Sequence, residues 1–188
     1  MKTLYQIKIT LKHTNPKVWR RVLVLSDMLL SDLHEVIQIT MGWTDSHLHR
    51  FVKNRTYYTA KPEDDDPMAA MRNVVYKGLH VSALLKEEKE KIVYEYDFGD
   101  DWEHELVLEK ISPVYEKLNY PICIAGKRCC PPEDCGGPWG YTDMLEVLKN
   151  PEHKQYQHYI DWLEGDFDPE YFDKDIVNAF LHCEENNL

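Results

Sequence analysis

Cys123, Cys129, Cys130 and Cys135 fall within thirteen residues of this 188-residue chain. The last three belong to the run Cys129-Cys130-Pro131-Pro132-Glu133-Asp134-Cys135-Gly136-Gly137-Pro138-Trp139-Gly140-Tyr141. Three thiols, three prolines and three glycines in one short run rule out an ordinary helix or a central strand. A loop of fixed shape is therefore expected over residues 120–140. Cys123, Cys130 and Cys135 have six and four residues between them. They could offer three thiolates to a zinc ion, with His104 as the fourth tetrahedral ligand. Cys129 is left out of that set because adjacent residues rarely both point at one ion. The spacing is not the Cys-x-x-Cys pair of a zinc ribbon. The competing reading is a set of small buried thiols in a rigid loop.

A second donor set comes from histidine and aspartate. His47 and His49, on a strand expected around 47–53, would face the same way as Phe51 and present two imidazoles to one ion. Asp97, Asp100, Asp101 and His104 supply further donors, and Glu133-Asp134 could add a general base. Together they describe a metal-dependent hydrolase. The structural alternative is that His104 is a hydrogen-bonded core histidine on the Leu106/Leu108 face, and that the aspartates beside Gly99 form a turn. Asp97-Phe98-Gly99 also spells the magnesium triplet of protein kinases. No glycine-rich loop or His-Arg-Asp loop accompanies it, so that match is a coincidence.

The third candidate is a surface. Five tryptophans (19, 43, 102, 139 and 162) and twelve tyrosines exceed the needs of a core of this size. Trp139 follows Gly-Gly-Pro, which fixes its backbone. With Arg20, Arg21, Trp43 and Arg50, it could line a groove for a peptide or an anionic ligand. Half-buried packing is the competing reading.

The elements that must position these residues follow from periodicity. Tyr5, Ile7, Ile9 and Leu11 alternate with polar residues, as a half-buried strand does. After the Asn15-Pro16 turn, Val18, Arg20, Val22 and Val24 face one way on a second strand. Ser31 or Asp32 is expected to cap a helix, boxed by Glu35, with Leu33, Val36, Ile37 and Met41 inside and Gly42 as its stop. Short strands are expected around 47–53 and 56–59, and an exposed acidic loop over 61–73. Strands carrying Ile92, Tyr94 and Tyr96, and then Trp102, His104, Leu106 and Leu108, read as a hairpin turned at Asp97–Asp101. Helical spacing follows, with starts expected near Tyr141, Pro151 and Pro169. The fold class is α+β: a mixed or antiparallel sheet with one early helix, a β-grasp-like opening and a C-terminal cluster of three helices. One domain over 1–188 is expected, strand-rich to residue 112 and helical over 141–182.

Composition narrows the function. The net charge of −11 is uneven. Residues 1–60 hold nine Lys/Arg against four Asp/Glu, or +5, while residues 133–188 hold three against fourteen, or −11. The acidic end repels a phosphate backbone, so nucleic acid is disfavoured as a partner. No apolar run is long enough for a membrane span, and no signal-peptide core forms at the start. A cytoplasmic protein is expected, with thiols that are free or metal-bound rather than a disulfide framework.

Longer motifs identify a family. Trp19-Arg20-Arg21, Leu33-His34-Glu35-Val36-Ile37-Gln38, Gly42-Trp43 and His47-Leu48-His49-Arg50-Phe51 come in that order. Tyr94-Glu95-Tyr96-Asp97-Phe98-Gly99-Asp100, Trp102-Glu103-His104, the cysteine loop and Gly165-Asp166-Phe167-Asp168-Pro169 follow. From about Tyr5 to Leu181 the chain closely resembles the plasmid ORF-three-like family, named after an open reading frame of the root-inducing plasmid. Some members carry the label of TnpR-like passengers of insertion elements, so the resemblance implies association with mobile elements. A resolvase would need a nucleophilic serine, an arginine cluster and a basic DNA-reading helix, and this chain lacks that pattern. The expectation is a non-catalytic module for a protein or small-molecule ligand. The alternative is the metal-dependent hydrolase, with zinc as the candidate ion.

Overall fold

The computed structural model describes residues 2–61, 72–115, 117–163, 165 and 167–183. The acidic stretch 63–67, expected as an exposed loop, lies outside them, as does Asp166 of the late glycine–aspartate motif. The strands are β1 (Leu4–Leu11), β2 (Trp19–Leu25), β3 (His49–Lys53), β4 (Thr56–Thr59), β5 (Asn73–Val75), β6 (Lys91–Tyr96), β7 (Trp102–Ser112) and β8 (Ile122–Lys127). The helices are α1 (Leu30–Met41), α2 (Val81–Leu84), α3 (Gly137–Leu148), α4 (Tyr156–Trp162) and α5 (Lys174–Leu181). All eight strands join one sheet in the order β5-β4-β3-β6-β7-β1-β2-β8. Each pairing is antiparallel except β4 with β5. The α+β expectation therefore holds, with the early helix and three late ones in place. The strand-strand-helix-strand opening is also present, but β7 rather than β3 lies beside β1.

Alternation sorts the sheet into two faces. Tyr5, Ile7, Ile9 and Leu11 of β1, Val22 and Val24 of β2, Tyr94 and Tyr96 of β6, and Leu106 and Leu108 of β7 are buried on one side. The apolar stripe of α1, with Leu33, Val36, Ile37 and Met41, closes over them. The opposite face carries ion pairs: Arg21–Glu109 at 2.6 Å, Lys91–Glu105 at 3.0 Å, Arg50–Glu95 at 2.5 Å, and Lys12 with Glu103. Such half-exposed pairs contribute little each, so the buried face carries the stability.

Several boundaries differ from the sequence reading. Helix α1 begins after Leu29 without a side-chain cap, and Ser31 and Asp32 lie inside its first turn. Gly42 stops it as expected, at φ 83°, with its N–H on Gln38 and Ile39 carbonyls. Asn150 and Asp168 do not open helices at the prolines that follow them. Each carboxamide or carboxylate oxygen accepts a hydrogen bond from the backbone N–H two residues on, at 3.2 and 2.9 Å, and forms a turn instead. The last helix is capped five residues later by Asp173, which accepts from Asp175 and Ile176 N–H.

The stretch read as a 120–140 loop starts as strand β8 and ends inside α3. Strand β8 is a sheet edge, and α5 covers part of it. Asn178 of α5 accepts from Cys123 N–H at 2.8 Å and donates to Cys123 C=O at 2.9 Å. Both backbone groups at that point are thereby satisfied, which protects the edge from pairing with another chain. Phe172 packs on Gly126, where an added Cβ would lie 2.5 Å from its ring. Asn178→Ala removes both hydrogen bonds and should destabilise the fold by about 1–3 kcal/mol, read as a lower urea midpoint at unchanged slope.

Candidate functional site

Three irregular segments meet at the hairpin end of the sheet: residues 43–48 after α1, the turn 97–101 between β6 and β7, and the cysteine–proline loop 129–136. Glu133 clasps the first to the third. Its carboxylate accepts from Tyr96 O–H at 2.5 Å, and from Thr44 N–H at 3.0 Å and Thr44 O–H at 2.6 Å. Trp43 donates its indole N–H to Pro131 C=O at 2.9 Å, and Ser46 N–H donates to Tyr96 Oη at 3.0 Å. The turn joins through Gly136 N–H, which donates to Asp100 Oδ2 at 3.1 Å. Gly137 sits so close that an added Cβ would lie 2.3 Å from the Asp100 carbonyl, and its φ is +67°, so only glycine fits.

Two clefts flank the turn. The first, of about 530 Å³, is lined by His13, Arg50, Glu95, Asp97, Asp100, Asp101, Glu103 and Trp139, among others. The second, of about 650 Å³, holds Asp45, His47, Leu48 and His49. Phe98 lines both and forms the partition. Trp139 stands in the first turn of α3 and is 86% exposed.

The cysteine set does not assemble. Among the described residues, no three donor atoms of Cys123, Cys130, Cys135 and His104 lie within 4.8 Å of one another. The reason is local. Cys123 is on β8 and its thiol points to Ala125 C=O at 3.7 Å. Cys130 is buried against Met41 sulfur at 3.1 Å. Burial pushes the Cys130 and Cys135 thiols up to about 12, which favours the neutral thiol. Cys123 and Cys130 are buried, one on a strand and one in the loop, while Cys135 is half-buried. His104 is fully buried on β7, with Nδ1–H donating to Tyr94 C=O at 3.3 Å and Trp43 edge-on at 5.1 Å.

The second donor set is divided, because His47 precedes β3 and does not share a strand face with His49. His47 Nε2 lies 3.7 Å from Asp97 Oδ2 and 3.2 Å from Asp134 Oδ1. His49 stacks instead on His34, with ring centroids 3.5 Å apart, and bonds Tyr76 Oη at 2.7 Å. Asp100 is spent on Gly136 N–H. Asp45 reaches His34 Nε2 at 2.9 Å, out of line for a hydrogen bond. Although His34, Asp45 and His49 form a cluster, parallel rings project parallel lone pairs, so one ion cannot lie in both ring planes.

The groove set also separates. Arg20 is buried, donating to Thr40 C=O at 2.7 Å and Lys127 C=O at 3.1 Å, and it lies over Phe172. Arg21 pairs with Glu109 on the open sheet face, and Trp43 is buried by its bond to Pro131. Only Arg50 and Trp139 line the first cleft.

A sequence profile described as plasmid pRiA4b ORF-3-like protein matches residues 3–176. The chain belongs to the plasmid pRiA4b ORF-3-like family. It is 37% identical over 169 residues to the uncharacterized protein y4hQ of Sinorhizobium fredii (strain NBRC 101917 / NGR234), covering 88% of this chain and 84% of that protein. It also resembles the crystal structure of MM3350, a protein of unknown function from Methanosarcina mazei Go1, with TM-score 0.83 and 39% identity over 93% of this chain and 97% of that one. The matched region of this ORF-3-like chain includes every segment that meets at the hairpin end. No helix among the described residues is long and apolar enough to cross a membrane.

Reading residues alone missed His34, Asp45 and Phe98 as parts of this site. His34 sits inside an amphipathic helix stripe, where its burial looks like packing. Only the fold shows that Tyr94 Oη, 2.7 Å away, fixes its Nδ1. Desolvation lowers the pKa of His34, and lowers those of His49 and His104 to about 3. A folded-state pKa below the unfolded value near 6.5 means the unfolded chain binds protons first. Stability from these histidines is therefore full above about pH 6.5 and falls as pH drops towards 3. Ring nitrogen NMR should show His49 and His104 neutral and without titration from pH 8 to pH 5. A midpoint above 5 for either would contradict its placement.

Proposed function

We propose that this ORF-3-like protein is a binding module that grips a lysine or arginine side chain on an exposed segment of a partner protein. The observation that carries this reading is Trp139, 86% exposed and held on a rigid helix start beside a cleft walled by acids. A large aromatic kept in water at a concave site favours a contact surface over packing. Five carboxylates (Glu95, Asp97, Asp100, Asp101 and Glu103) line the same cleft; Arg50 pairs with Glu95 and Lys12 with Glu103, and the remaining three leave a negative excess that selects a cationic ligand.

The cleft already holds an internal example of that recognition. The Arg50 guanidinium lies 4.2 Å from the Tyr57 ring centroid and 4.7 Å from that of Phe98, and it pairs with Glu95 at 2.5 Å. An incoming cation would repeat this arrangement over Trp139, with Asp101 as its counter-ion. Cation–π contacts of this type contribute on the order of 0.5–2 kcal/mol each, so affinity needs the carboxylates as well. Charge of this sign also speeds the approach of a basic partner and makes binding fall with added salt.

Titration calorimetry with lysine- and arginine-rich peptides, against glutamate-rich controls of equal length, tests the reading. Basic peptides should bind and acidic ones should not. Trp139→Ala should weaken binding about tenfold or more, while its exposure keeps stability within about 0.5 kcal/mol of the parent. Equal affinity for both peptide classes, or no effect of Trp139→Ala, would remove the proposal.

A further inference from the structure

We propose that His47, Asp97 and Asp134 together hold one zinc ion beside the Phe98 partition, a site that shares Asp97 with the wall of the cation-binding groove but not Trp139. The three donor atoms lie within 4.8 Å of one another. His47 Nε2 is shut away from solvent yet makes no hydrogen bond, although two carboxylates face it. An imidazole nitrogen between two carboxylates would ordinarily turn to bond one of them. Here Asp97 Oδ2 at 3.7 Å is beyond hydrogen-bond reach, and Asp134 Oδ1 at 3.2 Å is out of line for one. Zinc bonds of about 2.0–2.1 Å at tetrahedral angles put neighbouring ligand atoms about 3.3 Å apart, which these two separations bracket.

The aspartates are built for this use. Asp97 is more than nine-tenths buried, and its two oxygens are divided between tasks. Oδ1 accepts from Gly99 N–H at 2.9 Å and Asp100 N–H at 3.3 Å, which closes the turn. Oδ2 is left directed at His47. Asp134 comes from a different segment, and its neighbour Glu133 holds it there through the Tyr96 and Thr44 bonds. The turn, the 43–48 loop and the cysteine–proline loop would each give one ligand, so the ion would staple all three. Imidazole nitrogen and carboxylate oxygen are both ordinary zinc ligands. Two carboxylates also neutralise its charge. Three protein donors leave a fourth vertex for water or a ligand oxygen.

The test uses protein purified without a histidine tag, stripped with chelator and checked for fold by circular dichroism. Zinc is titrated by calorimetry, and cobalt serves as a visible-absorption probe of tetrahedral geometry. The expected result is about one ion per chain, with tetrahedral cobalt bands and a raised melting temperature. His47→Gln and Asp97→Asn should abolish binding, the latter while keeping an oxygen for the turn. Asp134→Asn should weaken it tenfold or more; Asp134 is 72% exposed, so this variant decides the matter if the others misfold. His49→Gln, Cys130→Ser and Trp139→Ala should all retain the ion, which distinguishes ion binding from the cysteines and from the groove's aromatic contact. No zinc taken up by folded protein would overturn the proposal, as would binding that survives Asp134→Asn but is lost in Cys130→Ser.

Discussion

Two buried tyrosines on one strand set the requirements for everything above the sheet. Tyr94 and Tyr96 alternate along β6 and both point into the packed face, at 0% and 1% exposure. A phenol hydroxyl sealed there without a partner costs on the order of 1–3 kcal/mol. The layer above must therefore bring polar groups to two fixed points. Helix α1 answers the first, with His34 and Gln38 reaching Tyr94 Oη at 2.7 and 2.9 Å. These residues are four apart on the helix, so they share the face that carries Leu33 and Ile37. The loop after the helix and the cysteine–proline loop answer the second, through Ser46 and Glu133.

From that constraint the site inherits its rigidity. The Tyr96–Glu133–Thr44 contacts are charge-assisted and hold two loops that have little regular hydrogen bonding of their own. Trp43 adds an apolar plug, stacking on Tyr96 at 5.1 Å while its N–H bonds Pro131. The glycines and prolines of the cysteine loop now have a physical role. Gly136 and Gly137 let the backbone pass against Asp100, and Pro138 sits in the first turn of α3, so Trp139 is presented on a helix rather than on a mobile tip. Of the loop's thiols, Cys130 lies beneath this surface, packed against Met41.

The fold was legible where burial is periodic. Strands β1, β2, β6 and β7 and the stripe of α1 follow from alternation or helical spacing, since one side of each is buried and the other faces water. Strand β8 was not, because Ile122–Lys127 is an edge strand with Gly126 under Phe172 and only Cys123 sealed among its residues. The site was half legible. Asp97, His47, Arg50 and Trp139 were identified by type. Their grouping was not, since His47–Asp134 and Tyr96–Glu133 join residues far apart in sequence, and pairing of that range has no local signature. The His-x-His pattern misled for a related reason: His47 precedes the strand, so the period-two rule does not apply to it.

One ambiguity of sequence reading has a structural resolution. Asp45, Asp97, Asp101 and Asp134 all hold left-handed backbone, at φ 56°, 55°, 55° and 60°. Aspartate is among the few residues with a side chain that adopt this conformation readily, so a turn alone explains its presence at each position. The same residue also brings a carboxylate, and sequence cannot say which property was needed. Hydrogen-bond geometry can. A carboxylate used only for shape spends its oxygens on nearby backbone N–H groups, as Asp97 Oδ1 does and as Asp100 Oδ2 does across to Gly136. Asp97 Oδ2 and Asp134 Oδ1 are not spent that way, and both face an imidazole nitrogen that no hydrogen bond satisfies. Leaving that nitrogen unpaired and shut away from solvent carries a standing cost. A ligand at that point would remove the cost, whereas the backbone geometry alone gives no reason for it.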